Sequence, residues 1–213
     1  TELSGTSVTC MGNVNKFTSL GIPLPLNTYG IFERGSDKEL KYGEEGEICI
    51  TGPTEMLGYL NNEEEEQKVI KVHSDGKRWI HSEDVGLIDE DGFLFFKGRY
   101  KRMFTHGGFK LYPSYIEGII VSHPDVENCC VISIPSQIYG FSPEAHIVVK
   151  RDKINELKAL KEELIELCKN SLPEYSQPEN FIFEEDLPLT SVGKVDYKKV
   201  EKMRIKKLEE SKK

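Results

Sequence analysis

This 213-residue chain lacks long apolar runs; nothing approaches the roughly 20 residues that a membrane-spanning helix needs. No basic start followed by an apolar stretch marks a secretory signal. Cysteine is sparse: five residues, no C-x-x-C pair, and so no indication of a zinc ribbon or a disulfide framework. Cys10, Cys49, Cys129, Cys130 and Cys168 are scattered, several in apolar runs such as Glu47-Ile48-Cys49-Ile50. They are expected to be small buried hydrophobes in a reducing, cytoplasmic setting. Positive charge is also short. The 28 Lys and Arg face 36 Asp and Glu, and the net charge of −8 argues against general affinity for nucleic acid. No Ser-His-Asp or Cys-His arrangement stands out, and no internal repeat or low-complexity block is present.

What remains is an ordinary folding composition, 38% hydrophobic and 30% charged, which excludes disorder and leaves room for one large or two small domains. Residues 1–97 read as strands and turns. Glu47-Ile48-Cys49-Ile50-Thr51-Gly52 is a short strand closed by a Gly-Pro turn. Gly86-Leu87-Ile88 and Phe93-Leu94-Phe95-Phe96 flank Asp89-Glu90-Asp91-Gly92, a hairpin with Asp-Gly in its turn. Asn62 to Lys68 is an acidic helix whose glutamates suit a solvated N-terminus. The short polar stretch 98–101 separates two patterns. Beyond it, Tyr112 to Ser122 is a helix with Pro113 at its start, and Asn128–Ile134 and Glu144–Lys150 are strands. Leu157, Leu160, Leu164, Leu167 and Cys168 recur at helical spacing. Phe181-Ile182-Phe183 is a third strand, Asp196 onward is a charged helix, and Lys198 to Lys213 is expected to be a frayed, solvated tail. The second pattern is a small α+β domain of about 110 residues.

The chemistry concentrates in short stretches. Pro188-Leu189-Thr190-Ser191-Val192-Gly193-Lys194-Val195 is a loop able to bend around a ligand, with one mobile ammonium after its glycine. Upstream stand Trp79-Ile80-His81-Ser82-Glu83-Asp84-Val85-Gly86, Gly98-Arg99-Tyr100-Lys101-Arg102 and Thr105-His106-Gly107-Gly108-Phe109-Lys110-Leu111-Tyr112-Pro113. Gly46-Glu47-Ile48 and Gly58-Tyr59 precede them. In order and spacing these resemble the signature series of the adenylate-forming (AMP-binding) superfamily, of the acyl- and aryl-CoA synthetase type. The resemblance runs from Thr1 to about Val200.

It implies an α+β fold: the β-rich end of a large domain, a distorted barrel, over residues 1–97; a hinge at 98–101; and a small mobile C-terminal domain over 102–213, a short sheet flanked by helices. It also implies an AMP-forming acid–thiol ligase using ATP, magnesium and coenzyme A on a small carboxylic acid. The chain opens on Thr1-Glu2, a dipeptide that comes well into such enzymes. The resemblance therefore implies a C-terminal portion, inactive without an upstream part that carries the phosphate-cradling loop.

Residue by residue, the resemblance makes Lys194 catalytic, bridging substrate carboxylate and nucleotide phosphate. Asp84 would accept both ribose hydroxyls, although Ser82-Glu83-Asp84 departs from the usual Thr-Gly-Asp. Arg99 would contact ribose or phosphate, and Lys101 would be the pivot on which the small domain swings from adenylation to thiol transfer. Gly107 and Gly108 would line the pantetheine route, with Lys110 meeting phosphates of coenzyme A or nucleotide. Thr1 would touch the α-phosphate and Glu2 the magnesium ion. The five histidines are assigned no role beyond structure. Two other readings stay open: an adenylation domain loading a carrier protein, and a non-catalytic fragment that binds nucleotide or a partner.

Overall fold

A computed structural model describes residues 2–3, 8–9, 16 and 18–210, so Thr1 and Cys10 lie outside the described residues. The chain divides into two compact units, Thr1–Lys101 and Arg102–Lys213.

In the first unit β1 (Val8–Thr9) pairs antiparallel with β2 (Ile22–Pro23). The main sheet is built from β3 (Thr28–Phe32), β4 (Gly46–Thr51), β5 (Ile70–Val72), β6 (Arg78–Ile88) and β7 (Leu94–Arg99). Its order is β3-β4-β6-β5, with β7 also on β6, all antiparallel. Among the described residues this is an open sheet, not a closed barrel, because β3 and β5 pair on one side only. Strand β4 is buried along its whole length, as a central strand covered on both faces should be. Ile48 and Ile50 join Tyr29, Ile31 and Leu94 on one face. Cys49 turns to the other face with Phe32 and Trp79, following the two-residue strand period. Helix α1 (Glu63–Val69) is capped by Asn62, whose side chain accepts from the Glu65 amide.

Strand β6 is irregular where the chemistry was expected. Cys49 faces His81 and Glu47 faces Val85, so three residues of β6 bulge out opposite the single Ile48 of β4. On its outer edge β6 changes partner at the same place, with β5 pairing as far as Ile80 and β7 starting at Asp84.

The second unit is a sheet between helices. Hairpin β8 (Phe104–His106) and β9 (Phe109–Leu111) leads into α2 (Pro113–Val121) and the long hairpin β10 (Val126–Ser136) and β11 (Gly140–Val149). Helix α3 (Leu157–Ser171), strand β12 (Asn180–Phe183) and helix α4 (Tyr197–Glu210) follow. Sheet order is β10-β11-β8-β9, with β12 parallel to β11. Both central strands alternate. Cys129, Val131, Ala145 and Ile147 meet Ile116, Ile120, Leu160 and Leu164 from α2 and α3. Cys130, Ile132, Ile134 and Val148 face Val200 of α4. The four described cysteines are buried and free, as the sequence implied.

Two expectations need correction. Strand β11 begins at Gly140, not Glu144, since Ser133 still pairs with Pro143 and the turn-like Gly-Phe-Ser-Pro stretch is drawn into the hairpin. The charged C-terminal segment is not simply a solvated tail. Arg204 of α4 grips the fully buried Glu144 of β11 with two hydrogen bonds, Nε to Oε1 at 2.6 Å and a terminal guanidinium nitrogen to Oε2 at 3.0 Å. His146 spans from Glu144 to Glu184 beside them.

Burial pushes the Glu144 carboxyl up, but the hydrogen bonds from His146 and Arg204 outweigh it and hold it below its usual 4.5. A depressed carboxylate stabilises the fold above its unfolded value and loses that contribution as pH falls through the folded one. Arg204→Met should therefore cost about 3–5 kcal/mol near pH 7, the usual result of stranding one partner of a buried pair. The loss should shrink below pH 4.5, as urea titrations at pH 7 and pH 3.5 would show.

Candidate nucleotide site and lysine loop

A cavity of about 420 Å³ opens in the first unit above the bulge in β6, lined by Glu2, Tyr59, Ser82, Glu83, Asp84, Arg99 and Lys101 among others. It brings together every expected site residue of this unit that is described. Asp84 on β6 stands opposite Arg99 on β7 in register, and Arg99 Nε lies 2.8 Å from Asp84 Oδ1. That contact is close but not aligned as a hydrogen bond, so Oδ1 is left without a directed donor. A half-buried carboxylate held beside a guanidinium, with an oxygen still able to accept, is suited to a pair of ligand hydroxyls. Burial pushes the Asp84 carboxyl up; Arg99 pulls it down, while Glu83 and Glu2 push it up again, leaving it above 3.8.

Glu2 accepts a hydrogen bond from the Tyr59 hydroxyl at 2.9 Å. A bond from its own backbone amide, ahead of the Tyr59 contribution, holds its carboxyl below 4.5. An ionised oxygen donor of this kind fits a hard cation. The Gly58-Tyr59 motif has a physical reason. A Cβ at Gly58 would sit 2.0 Å from Glu66 Oε2, the atom that accepts from the Tyr59 amide. Glu66 is thus tied into the loop under the site, whereas the acidic run was expected to be solvated.

Glu83 departs from the glycine that the resemblance implied, and it takes the left-handed conformation that glycine favours, with φ of 58°. A left-handed non-glycine residue costs of order 1 kcal/mol and is held only where the surroundings dictate it. Its backbone amide donates to Glu47 Oε1 (3.1 Å), and its carboxylate lies 2.5 Å from Lys101 Nζ. Lys101 is the last residue of the first unit. Below the bulge, His81 Nδ1 is 3.0 Å from Glu47 Oε2 and 3.4 Å from Cys49 Sγ, and the Nε2 atoms of His81 and His73 are 2.9 Å apart. Glu47, Cys49 and His81 offer donor atoms within 4.8 Å of one another. As they stand they are linked by hydrogen bonds: the Glu47 carboxylate accepts from His81 Nδ1, and burial pushes the Cys49 thiol up.

In the second unit Gly107 and Gly108 form the two-residue turn between β8 and β9, with φ of 53° and 90°. Two positive values define a type I′ turn, which glycine adopts without strain. Lys110 follows on β9 and is exposed. The Lys194 loop is ordered by its backbone. Thr190 N–H donates to Lys194 O (2.7 Å), Gly193 N–H to Thr190 O (3.0 Å) and Asp196 N–H to Pro188 O (2.8 Å). The Lys194 side chain is exposed and enters none of the ion pairs among the described residues.

Residues 115–194 match the AMP-binding enzyme C-terminal domain. The chain is 32% identical over 177 residues to a long-chain-fatty-acid–CoA ligase of Escherichia coli O157:H7, covering 83% of this chain and 30% of that protein. The chain belongs to the AMP-binding, adenylate-forming family. It is also 34% identical to a 2-succinylbenzoate–CoA ligase of Bacillus licheniformis, over 86% of this chain and 36% of the relative. Among solved structures of the family, the anthranilate CoA ligase AuaEII in complex with anthranoyl-AMP aligns with a TM-score of 0.78 at 26% identity, covering 91% of this chain and 36% of that one. The o-succinylbenzoate CoA synthetase MenE of Bacillus subtilis, in complex with its acyl-adenylate intermediate, gives 0.73 at 28% identity, over 87% and 36%. The chain thus spans about a third of the length of these AMP-binding relatives and corresponds to their C-terminal part.

Within this family member the raised carboxyl of Asp84 carries a stability cost. A carboxyl raised by folding destabilises the native state above its folded pKa, and the cost disappears as pH falls below the unfolded value near 3.8. Asp84→Asn should therefore raise the melting temperature at pH 7.5 by roughly 2–4 °C, the shift that about 1 kcal/mol produces in a chain of this size. Calorimetry at pH 3.5 should show that gain gone.

Proposed function

We propose that this chain is the C-terminal portion of an ATP-dependent acid–CoA ligase. The whole enzyme joins a carboxylic acid to ATP as an acyl-adenylate, releasing pyrophosphate, and then passes the acyl group to the thiol of coenzyme A, releasing AMP. The observation that carries this reading is the cavity that gathers Glu2, Asp84, Arg99 and Lys101 in the first unit, all at positions that match the family's motifs. Relatives covering the same segment are acyl- and aryl-CoA ligases.

Each residue then has a task. The carboxylate of Asp84 accepts the two ribose hydroxyls, and Arg99 beside it orients that carboxylate and reaches ribose or phosphate. The ionised Glu2 would hold magnesium, which would supply positive charge beside the phosphates. Thr1, outside the described residues, would meet the α-phosphate. Two anions must approach one another in the first half-reaction, so positioning and neutralisation decide the rate. Lys194 supplies the neutralisation, its ammonium offered on a loop whose backbone bonds are already made. The chain parts into two units directly after Lys101, which supports that residue as the pivot of the swing between half-reactions. The side-chain-free turn at Gly107-Gly108 admits the pantetheine arm, with Lys110 close by in sequence for a phosphate. A cytoplasmic setting suits the free cysteines.

In the intact enzyme, Lys194→Ala should cut adenylation about 10²–10³-fold, the usual effect of removing one preorganised electrostatic group. Thioester formation from supplied acyl-adenylate and coenzyme A should stay near the wild-type rate. Equal loss in both half-reactions, assayed separately, would contradict this role. Lys101→Pro should do the reverse, sparing adenylation and slowing thioester formation, because it fixes φ at the pivot and removes an amide donor. A thermal melt of that variant would separate a stiffened pivot from a damaged fold.

A further inference from the structure

Gly46-Glu47-Ile48 belongs to the motif series, yet the function proposed above gives Glu47 no task. Its setting is unusual. Glu47 is the second residue of β4 and is only 4% exposed. A buried carboxylate is costly unless its oxygens are fully used. Both oxygens of Glu47 are used, and both lead to the site. Oε2 accepts from His81 Nδ1 and from the Gly35 amide, and Oε1 accepts from the amide of Glu83. Glu83 immediately precedes Asp84 and holds the left-handed conformation.

The sheet itself does little to fix this segment. In the register of β4 with β6, pairing stops at His81 and resumes at Val85, and on the outer edge it stops at Ile80 and resumes at Asp84. Ser82 and Glu83 therefore have no ladder partner on either side. Two side-chain braces replace it: the Glu47 carboxylate under the Glu83 amide, and Ser82 Oγ, which donates to Ile48 O (2.7 Å) and accepts from the Asp84 amide (3.1 Å). Glu47 is in turn locked from behind. His81 Nδ1 donates to the carboxylate, its Nε2 lies 2.9 Å from His73 Nε2, and the remaining His73 nitrogen, Nδ1, is buried without a partner. Stacking against Trp79 and edge contact with Phe32 hold the His73 ring in place.

We infer that Glu47, with Ser82, is a positioning residue for nucleotide binding: it sets the bulge of β6 and through it the direction of the Asp84 carboxylate. The inference rests on the ribose reading of Asp84. Glu47 thereby acts on the nucleotide without touching it. A purely structural glutamate would affect stability and all substrates together. A positioning one acts through Asp84 and on the nucleotide alone.

The test is a double-mutant cycle of Glu47→Gln and Asp84→Ala in the intact enzyme, read by AMP binding calorimetry and by the KM values for ATP and for acid. Glu47→Gln alone should weaken AMP and raise the KM for ATP about tenfold, the lower range for a hydrogen bond to a charged group, with the KM for acid unchanged. In the Asp84→Ala background the same substitution should cost less than twofold. An undiminished cost in that background, or equal rises in both KM values, overturns the positioning role. AMP binding undisturbed by Asp84→Ala alone would instead sink the ribose reading, and the positioning role with it. If Glu47→Gln does not fold, Ser82→Ala removes the second brace and goes through the same cycle, with the same outcomes deciding.

Discussion

One buried carboxylate governs the geometry of the candidate site. Glu47 occupies a strand position that burial would normally reserve for an apolar side chain, and it is kept there by donors from three directions: Gly35, His81 and Glu83. An ionised group so placed is tolerable only when hydrogen bonds replace its hydration. That requirement works in both directions. The donors stabilise the carboxylate, and the carboxylate fixes the donors, including a backbone amide in a conformation that glycine would adopt more easily. The bulge, the cavity above it and the Asp84–Arg99 pair all depend on that arrangement.

The second unit solves a different problem. It has to offer a lysine and a glycine turn from a scaffold that keeps its own shape. Its central hairpin is covered on both faces, by α2 and α3 on one side and α4 on the other, with alternating side chains of β10 divided between the two cores. Helix α4 follows directly after the Lys194 loop and is pinned through Arg204 to a carboxylate with no solvent exposure. The loop is therefore anchored at its exit by a buried ion pair and closed within itself by backbone bonds, while its ammonium stays free of ion pairs among the described residues. Rigid support beneath an unencumbered charge is the arrangement that electrostatic stabilisation of a transition state calls for.

Much of this was legible in the residues. Asp89-Glu90-Asp91-Gly92 announced the β6–β7 hairpin, Pro113 the start of α2, and the leucine spacing the buried stripe of α3. Where the sequence misled, a long-range partner was responsible. The strand expected to start at Glu144 already includes Pro143, which pairs opposite Ser133 because β10 continues beside it. The lysine-rich C-terminus reads as a solvated tail, because nothing local reveals that Arg204 has Glu144 to hold. The acidic run 63–66 reads as uniformly solvated, because only the folded loop brings the Tyr59 amide to Glu66.

The sequence by itself determined the family, the α+β class and the order in which the motifs occur, since these rest on residue identity, spacing and periodicity along the chain. The tertiary structure alone decided that Asp84 sits on a bulge, that Glu83 keeps a glycine conformation and bonds Lys101, and that Glu47, His81 and His73 form one chain beneath them. The physical reason is register. Which residue of β4 faces which residue of β6 fixes the bulge and the contacts of Glu47, and it is set by pairing between distant segments, such as Ile50 with Ile80 and Gly46 with Gly86, which no local pattern encodes.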